Sequence, residues 1–275
     1  MKKLAGFLLV LSIAVCAGAQ DQTTLELVKK EAQLNSLFQA LYSDTLSSSE
    51  AVLEQILILM PEALSLEGAM EFPWVRLDRI GVITSDDSRL RIFTWHVMAD
   101  PDHYTYFGFI QVGDKKDRVR VYALEDNLKP QRNLQVLEQS TEDWYGKLYY
   151  QIISEKHKRK ETYTLLGMDF NDTRSTIKTI ETISLQRNKP RFEKGQFQYG
   201  NSYLDRVVLE YSSQVSISVR YDKGISMITY DHLEPLHPIY RNNFEFYGPD
   251  GSIDGLEFKE GTWVYQKDID ARNPD

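Results

Sequence analysis

Residues 215–230 read VSISVRYDKGISMITY and indicate the fold class more clearly than any other stretch of the chain. From Val215 to Tyr221 apolar residues alternate with polar ones, which is typical of a strand with one buried and one solvated face. Asp222-Lys223-Gly224 then provides a short turn into a second β-prone run, Ile225–Tyr230. The stretch therefore predicts an antiparallel hairpin.

Similar runs occur on both sides of this hairpin. They are rich in Tyr, Phe, Val, Ile and Thr and are separated by turn clusters, a pattern typical of antiparallel all-β regions. No helical pattern interrupts them, which disfavours parallel βαβ units. We expect one antiparallel β domain over residues 71–275, with several sheets in a sandwich or propeller-like arrangement. The other predicted strands are Arg89–His96, Tyr104–Val112, Arg118–Leu124, Lys147–Glu155, Thr162–Asp169, Thr176–Leu185, Arg206–Tyr211, Leu256–Lys259 and Thr262–Gln266.

Residues 20–70 are predicted to form a short α-helical segment ahead of the β domain. Ser47 and Glu50 fit a capping box at the start of a second helix, and Pro61 is expected to end that helix. Helices this short are marginal alone, so we expect their apolar stripe to pack against the sheet or its edge. In the first helix the apolar positions at helical spacing are Leu25, Val28, Ala32, Leu37 and Leu41.

Residues 1–19 are predicted to be a signal peptide. Lys2 and Lys3 precede an uncharged apolar run, Leu4–Val15, and Ala17-Gly18-Ala19 supplies the small-residue pattern that signal peptidase recognises. The run is shorter than the ~20 residues that a membrane-spanning helix needs. We therefore expect cleavage after Ala19 and a periplasmic or extracellular mature protein with no stable membrane span.

Cys16 is the single cysteine of the chain. Val15 stands before it, where lipid-attachment sites have a small residue, so a lipoprotein is disfavoured. Cleavage would remove this thiol, which excludes disulfides, cysteine nucleophiles and thiolate metal sites from the mature protein.

Cleavage would also remove Lys2 and Lys3 but no acidic group, and so move the net charge from -8 to -10. This acidity argues against a nucleic-acid partner.

Two segments near the C-terminus contain residue types that bind metal ions. Asp231–His237 holds two histidines and two carboxylates, but Pro235 argues against a helix that would present both rings together. Asp250–Gly255 places oxygen ligands at alternate positions, as calcium loops do, yet Gly261 stands where an EF-hand needs glutamate. We assign no metal ligand and expect no tightly bound metal, although the fold could bring the two segments together.

Motifs for cofactors and nucleophilic catalysis are absent from the sequence. It contains no Gly-x-Ser-x-Gly elbow, no phosphate-binding glycine loop and no dinucleotide fingerprint, so we assign no catalytic residue and no cofactor. Paired carboxylates that meet only in space remain open, as does a glycan groove lined by aromatic residues. The basic run Lys156–Lys160 is expected to be a solvated hairpin tip.

A collinear set of short motifs gives the chain a family resemblance. It resembles a family of exported, functionally uncharacterised proteins common in Bacteroidetes, and the resemblance covers nearly the whole mature chain. It implies export but no active site. Thr45 in Asp44-Thr45-Leu46 is also similar to the O-glycosylation acceptor of such cells. The motifs are Tyr106–Gln111, Trp144–Gly146, Tyr163–Gly167, Asp231–Leu233, Phe246–Ser252 and Asp268–Arg272.

These observations favour an exported, non-catalytic binding or scaffolding module with a protein or glycan partner in the cell envelope. The evidence for this function is the lack of a nucleophile motif, a thiol, a cofactor loop and a metal-ligand set. The alternative is a hydrolase of glycan or another envelope polymer, with carboxylates brought together on the β scaffold.

Overall fold

The computed structural model describes residues 2–43, 49–100, 103–114, 118–129 and 133–270. Thr45 and Ser47, which the sequence analysis singled out, lie outside them. Two helices come first, α1 (Lys2–Leu41) and α2 (Ser49–Leu64). Sixteen strands follow in the described residues: β1 (Gly81–Thr84), β2 (Leu90–Asp100), β3 (His103–Gly113), β4 (Val119–Leu128), β5 (Trp144–Tyr145), β6 (Leu148–His157), β7 (Lys160–Asp169), β8 (Ser175–Gln186), β9 (Lys189–Phe192), β10 (Phe197–Tyr199), β11 (Ser202–Leu204), β12 (Arg206–Ser212), β13 (Val219–Asp222), β14 (Met227–Pro235), β15 (Tyr247–Lys259) and β16 (Thr262–Gln266).

The strands form three sheets. One has the order β1-β2-β3-β4-β5, a second has β12-β8-β7-β6 with β9 added beside β8, and the third has β11-β10-β16-β15-β14-β13. The pairings described residue by residue are antiparallel, except that β4 and β5 and also β10 and β16 are parallel. The predicted mainly-β class with helices at the N-terminus is confirmed. In the part of the chain that the structure describes, neither helix has the length and hydrophobicity needed to cross a membrane.

The helices belong to a compact unit that combines residues 1–79 with residues 111–121. Its core includes Ile56 and Met60 of α2, both fully buried. The Gln111 side chain, also fully buried, donates from Nε2 to the carbonyl of Leu64 over 2.8 Å. Buried Glu31 accepts the Arg76 backbone N–H at 2.9 Å, so this carboxylate is satisfied inside the unit.

The predicted apolar stripe of α1 is fully buried at one position and partly buried at three. Leu41 is buried, Val28, Ala32 and Leu37 are half-buried, and Leu25 is 54% exposed. The predicted set takes a step of five residues from Ala32 to Leu37, and such a step leaves one helix face for another. The buried face advances in steps of four and three, and the sequence hid it because it includes a glutamate. Its members are Leu27, Glu31, Leu34, Phe38 and Leu41.

The prediction that Pro61 ends α2 is wrong. The helix includes Pro61 and continues to Leu64. A proline inside a helix removes the hydrogen bond from its own nitrogen to the carbonyl four residues earlier, here that of Leu57. Only the last turn follows Pro61, and it is held by the Ser65 N–H, which donates to the Pro61 carbonyl over 3.1 Å. Ala63 and Leu64 are buried in this turn, which supports it by packing.

The second compact unit combines residues 80–110 and 122–275. Within it the second and third sheets share one apolar core, so they pack face to face as in a sandwich. Buried Trp263 on β16 donates from Nε1 to Thr164 Oγ1 on β7 over 2.8 Å, a polar link between the two sheets. The buried core residues are Ile153, Leu166, Ile180, Phe197, Val207, Tyr211, Ile217, Val219, Ile228, Tyr230, Leu256 and Trp263.

The hairpin predicted at residues 215–230 forms, but its first strand is shorter than expected. Strand β13 begins at Val219, and Val215 is 38% exposed instead of buried. Just before β13, the Asp231 N–H still donates to the Ser218 carbonyl over 3.2 Å, but side chains take the other backbone groups. Lys178 Nζ donates to the Ile217 carbonyl over 2.6 Å, and the Ser218 N–H donates to Asp231 Oδ2 over 2.8 Å.

Candidate functional site

The two C-terminal segments that the sequence singled out meet on neighbouring strands. Asp231–Glu234 belongs to β14 and Asp250–Gly255 belongs to β15, and these strands pair antiparallel. Tyr230 lies opposite Asp254 in this register. The pairing therefore brings the histidine-containing segment against the aspartate-containing one.

A bulge lies where the two segments meet. Asp231 is paired with Ile253, but the next described pair joins Leu233 to Pro249, so His232 alone faces residues 250–252. Bulges re-aim side chains and are common beside functional sites. The bulged residues are closed into a turn by their own side chains.

In that turn, an oxygen of Asp250, the first residue of the calcium-like segment, is already hydrogen-bonded within the chain. Asp250 Oδ1 accepts the Ser252 N–H at 2.9 Å and the Ser252 hydroxyl at 2.7 Å. Gly251 has a φ of 94°, a left-handed conformation that glycine adopts without strain. In the residues that the structure describes, no group of three or more His, Cys, Asp or Glu side chains has an arrangement that could hold a metal ion.

His232, which lies at the bulge, faces a buried carboxylate. His232 Nδ1 lies 2.7 Å from Asp254 Oδ2, and Asp254 is only 3% exposed. The Tyr265 hydroxyl donates to the same oxygen over 2.8 Å, while the Asp268 N–H donates to Oδ1 over 3.1 Å. Asp254 thus has partners on both oxygens and holds the imidazole in a fixed orientation.

Carboxylates surround the imidazole and favour its charged form. The hydrogen bond to Asp254 raises the pKa of His232 above its usual value, with further help from Glu234 and Asp250, although partial burial opposes the shift. His232 Nε2 lies 3.4 Å from Glu234 Oε1, and the side chain of Glu234 is 58% exposed. One ring nitrogen is therefore held by a buried acid, and the other faces an exposed one.

Three tyrosines complete the site. The rings of Tyr199 and Tyr265 stack with centroids 4.5 Å apart, and the hydroxyls of Tyr199 and Tyr230 lie 2.8 Å apart. Burial raises the pKa of Tyr199 to about 12, and it also raises the pKa of Tyr230 and Tyr265, so all three are neutral phenols.

These side chains line a cavity of about 380 Å³, which we call the tyrosine–histidine cavity. The three tyrosines, His232, Asp254 and Gln135 form its polar lining, and aliphatic side chains such as Leu204 and Val207 form the rest. Asp254 is the one carboxyl among the described lining residues. The cavity offers aromatic and apolar surface with a few hydrogen-bonding groups, the usual composition of a small-molecule site.

The remaining histidine of the first segment has a local role. His237 precedes the short 3-10 turn Pro238–Tyr240, and its Nδ1 accepts the Ile239 N–H at 3.3 Å. The basic run Lys156–Lys160 forms the tip of the β6–β7 hairpin, as predicted, with Lys158 and Arg159 exposed between the two strands.

A second polar cluster, which the sequence analysis missed, is completely buried. Lys147 is 0% exposed, and its Nζ lies 2.9 Å from Glu181 Oε1, while Arg206 Nε lies 3.2 Å from Glu181 Oε2. Tyr149 donates its hydroxyl to Glu181 as well. We call this group the buried charge cluster.

Burial and neighbouring charges compete in this cluster. Burial lowers the pKa of Lys147 to about 8, although Glu181 opposes the change. Burial alone would raise the pKa of Glu181, but the cations Lys147 and Arg206 hold it below its usual value. Gly167 makes room for the lysine, since a Cβ there would lie 2.7 Å from Lys147 Cδ. The Lys147 side chain has no exposed surface in this fold.

Fold and site together define a mainly-β sandwich protein with N-terminal helices and a cavity lined by tyrosine and histidine. Comparisons with protein-family models, with curated proteins and with solved structures give no match to this chain.

Proposed function

We propose that this chain is an exported binding module that captures a neutral, hydroxyl-rich ligand such as a glycan in the tyrosine–histidine cavity. Export rests on the predicted signal peptide and on the resemblance to exported proteins of Bacteroidetes. The observation that carries the binding function is the orientation of His232 by buried Asp254 beside three tyrosines.

The charges at the cavity disfavour an anionic ligand. The carboxylates of Asp254, Glu234 and Asp250 all act on His232, so an anion would meet net negative charge. The tyrosine lining favours a hydroxyl-rich ligand such as a pyranose, because its C–H face packs on aromatic rings while its hydroxyls exchange hydrogen bonds with imidazole and phenol groups.

The hydrogen bonds of Asp254 favour binding over hydrolysis. A glycosidase needs two carboxyl groups at the scissile bond, one of them free to donate or accept a proton. Asp254 already accepts from His232, Tyr265 and the Asp268 N–H, and it is the one carboxyl among the described residues that line the cavity. The site is therefore better suited to hold a ligand than to cleave it.

Affinity electrophoresis in gels that contain soluble neutral polysaccharides tests this function. We expect at least one glucan, mannan or galactan to retard the protein, and Tyr265→Ala or His232→Ala to abolish the retardation. Tyr203→Ala is the matched control, because Tyr203 is 56% exposed and lies outside the cavity lining. Retardation that survives both cavity variants, or release of reducing sugar from the polysaccharide, would contradict the proposal.

A further inference from the structure

A second cavity, of about 300 Å³, lies beside the turn between β7 and β8 and the residues that follow β12. We call it the Tyr211 pocket. Its lining combines the rings of Tyr104 and Phe170 and the thioether of Met168 with hydroxyl groups, among them those of Thr176 and Tyr211. It shares no described lining residue with the tyrosine–histidine cavity.

Two buried hydroxyl groups of this lining have no partner within the chain. Tyr211 is 3% exposed and Thr176 is 7% exposed. The two residues lie directly opposite each other on β12 and β8, so their side chains share one face of the sheet. Among the residues that the structure describes, neither hydroxyl forms a hydrogen bond. Because a buried hydroxyl without a partner costs free energy, these two groups are suited to bind the occupant of the pocket.

An aromatic cluster forms part of the wall. The rings of Tyr104 and Phe170 have centroids 5.3 Å apart, and the His96 ring packs against both, at 5.2 Å from Tyr104 and 5.1 Å from Phe170. Burial lowers the pKa of His96, so this imidazole is neutral. The wall therefore offers ring surface that carries no charge.

The turn between β7 and β8 gives the pocket a fixed rim. Asp172 Oδ1 accepts the N–H groups of Arg174 and Ser175, both over 2.8 Å. Ser213, which follows β12, donates its hydroxyl to the Thr173 carbonyl over 2.8 Å and its N–H to the Arg174 carbonyl over 2.9 Å. These bonds connect the two sides of the pocket, so a ligand would meet a preformed surface.

The lining presents no free charge. Asp172 is the one charged residue among the described lining residues, and its Oδ2 lies 3.6 Å from Arg174 Nη2. Its other oxygen is occupied by the backbone of the turn. The groups available to a ligand are therefore hydroxyls and rings, which suit a neutral molecule.

We propose that the Tyr211 pocket is a second binding site and that it takes one neutral pyranose unit. A hydroxyl both donates and accepts, so Tyr211 and Thr176 can pair with sugar hydroxyls in either direction. The rings of Tyr104 and Phe170 suit the C–H face of the sugar. The volume of about 300 Å³ is at the lower end of small-molecule sites, which suits a single sugar unit.

NMR titration of the whole protein with methyl α-mannopyranoside, methyl α-glucopyranoside and methyl β-galactopyranoside tests this site. We expect at least one glycoside to bind, and Tyr211→Phe/Thr176→Val to weaken it about tenfold or more, as expected for lost hydrogen bonds. The melting temperature of this variant should not fall, because the two hydroxyls have no partner in the part of the chain that the structure describes. The matched control is Tyr203→Phe/Thr262→Val, the same two changes at residues outside the described lining of both cavities.

Four results would overturn the proposal. Equal weakening by the two double variants, or a lower melting temperature of the pocket variant, would mean that the hydroxyls act through the fold. Glycoside binding that is lost in Tyr265→Ala but kept in Tyr211→Phe/Thr176→Val would belong to the tyrosine–histidine cavity. Binding of p-cresol but of no glycoside would define an apolar pocket. Binding of no probe, with folding confirmed by circular dichroism, would leave water as the partner of the two hydroxyls.

A glycoside whose binding is lost only in the pocket variant supports the proposal. That result would stand whether or not polysaccharides bind in the tyrosine–histidine cavity, because the two cavities have separate lining residues.

Discussion

Glu181 is the residue on which the buried charge cluster depends, because one carboxylate accepts from Lys147, Arg206 and Tyr149. Glu181→Gln removes the carboxylate that pairs directly with two buried cations. We expect the free energy of unfolding to fall by about 3–5 kcal/mol, the cost of breaking a buried ion pair from one side. Urea unfolding followed by tryptophan fluorescence measures this change.

The control for this prediction is Glu257→Gln. Glu257 also forms a lysine pair, with Lys259 at 2.7 Å, but its side chain is 39% exposed. An exposed pair contributes at most about 1 kcal/mol, so this variant should unfold almost like the parent chain. If the two variants lost the same stability, burial would not be what makes the Glu181 cluster important.

His232 makes stability depend on pH in a defined direction. The pKa of His232 is raised above the usual 6.5 in the folded chain. Its contribution to the free energy of unfolding is therefore complete below that pH, and it disappears as the pH rises through the raised pKa. His232→Gln should therefore destabilise the protein more at pH 5 than at pH 9, measured by thermal unfolding. In an Asp254→Asn background the difference between the two pH values should vanish. An equal effect of His232→Gln at both pH values in the parent chain would contradict the assignment.

At the scale of elements, the bulge between β14 and β15 lies directly opposite His232. Deletion of Gly251 and Ser252 would leave Asp250 alone opposite His232 and restore regular pairing. Because Tyr230 is paired with Asp254, and side chains two residues apart share one face of a strand, His232 would still lie on the face of Asp254. We expect the shortened chain to keep its circular dichroism and the histidine titration that depends on Asp254, observed by NMR of the imidazole C–H signals. Loss of the raised His232 pKa after the deletion would show that the bulge is needed to position the ring.

Most long elements were predictable from the sequence, and the shortest ones were not. Strands such as β7 and β8 gave clear β-prone runs between turns, but of the thirteen residues of β15 only Leu256–Lys259 was predicted, because the Asp and Gly residues before it are typical of a turn. β5 has two residues and β10 has three, too few for any periodicity to be visible. At Val215–Ser218 the alternation was clear, but Lys178 and Asp231 took the backbone partners that a strand would have used.

At the scale of the whole molecule, the site was predictable only in part. The sequence indicated the two segments that meet at His232 and Asp254, because each has an evident local composition. It did not indicate Tyr199 or Tyr265, since tyrosine is common in strands and only the pairing of distant strands brings these rings together. In the buried charge cluster, Glu181 was not distinguishable from Lys178, a second charge of the same strand that is only half-buried.

The two-part composition of the helical unit has a consequence for biosynthesis. On the ribosome, α1 and α2 are made before residues 80–110, and residues 111–121 of the same unit are made only after those. Until then the carbonyl of Leu64 lacks the Gln111 side chain that it binds in the finished protein. Domains commonly fold during synthesis from the N-terminus onward. Here the first helices to be translated cannot complete their unit until residues 111–121 have left the exit tunnel.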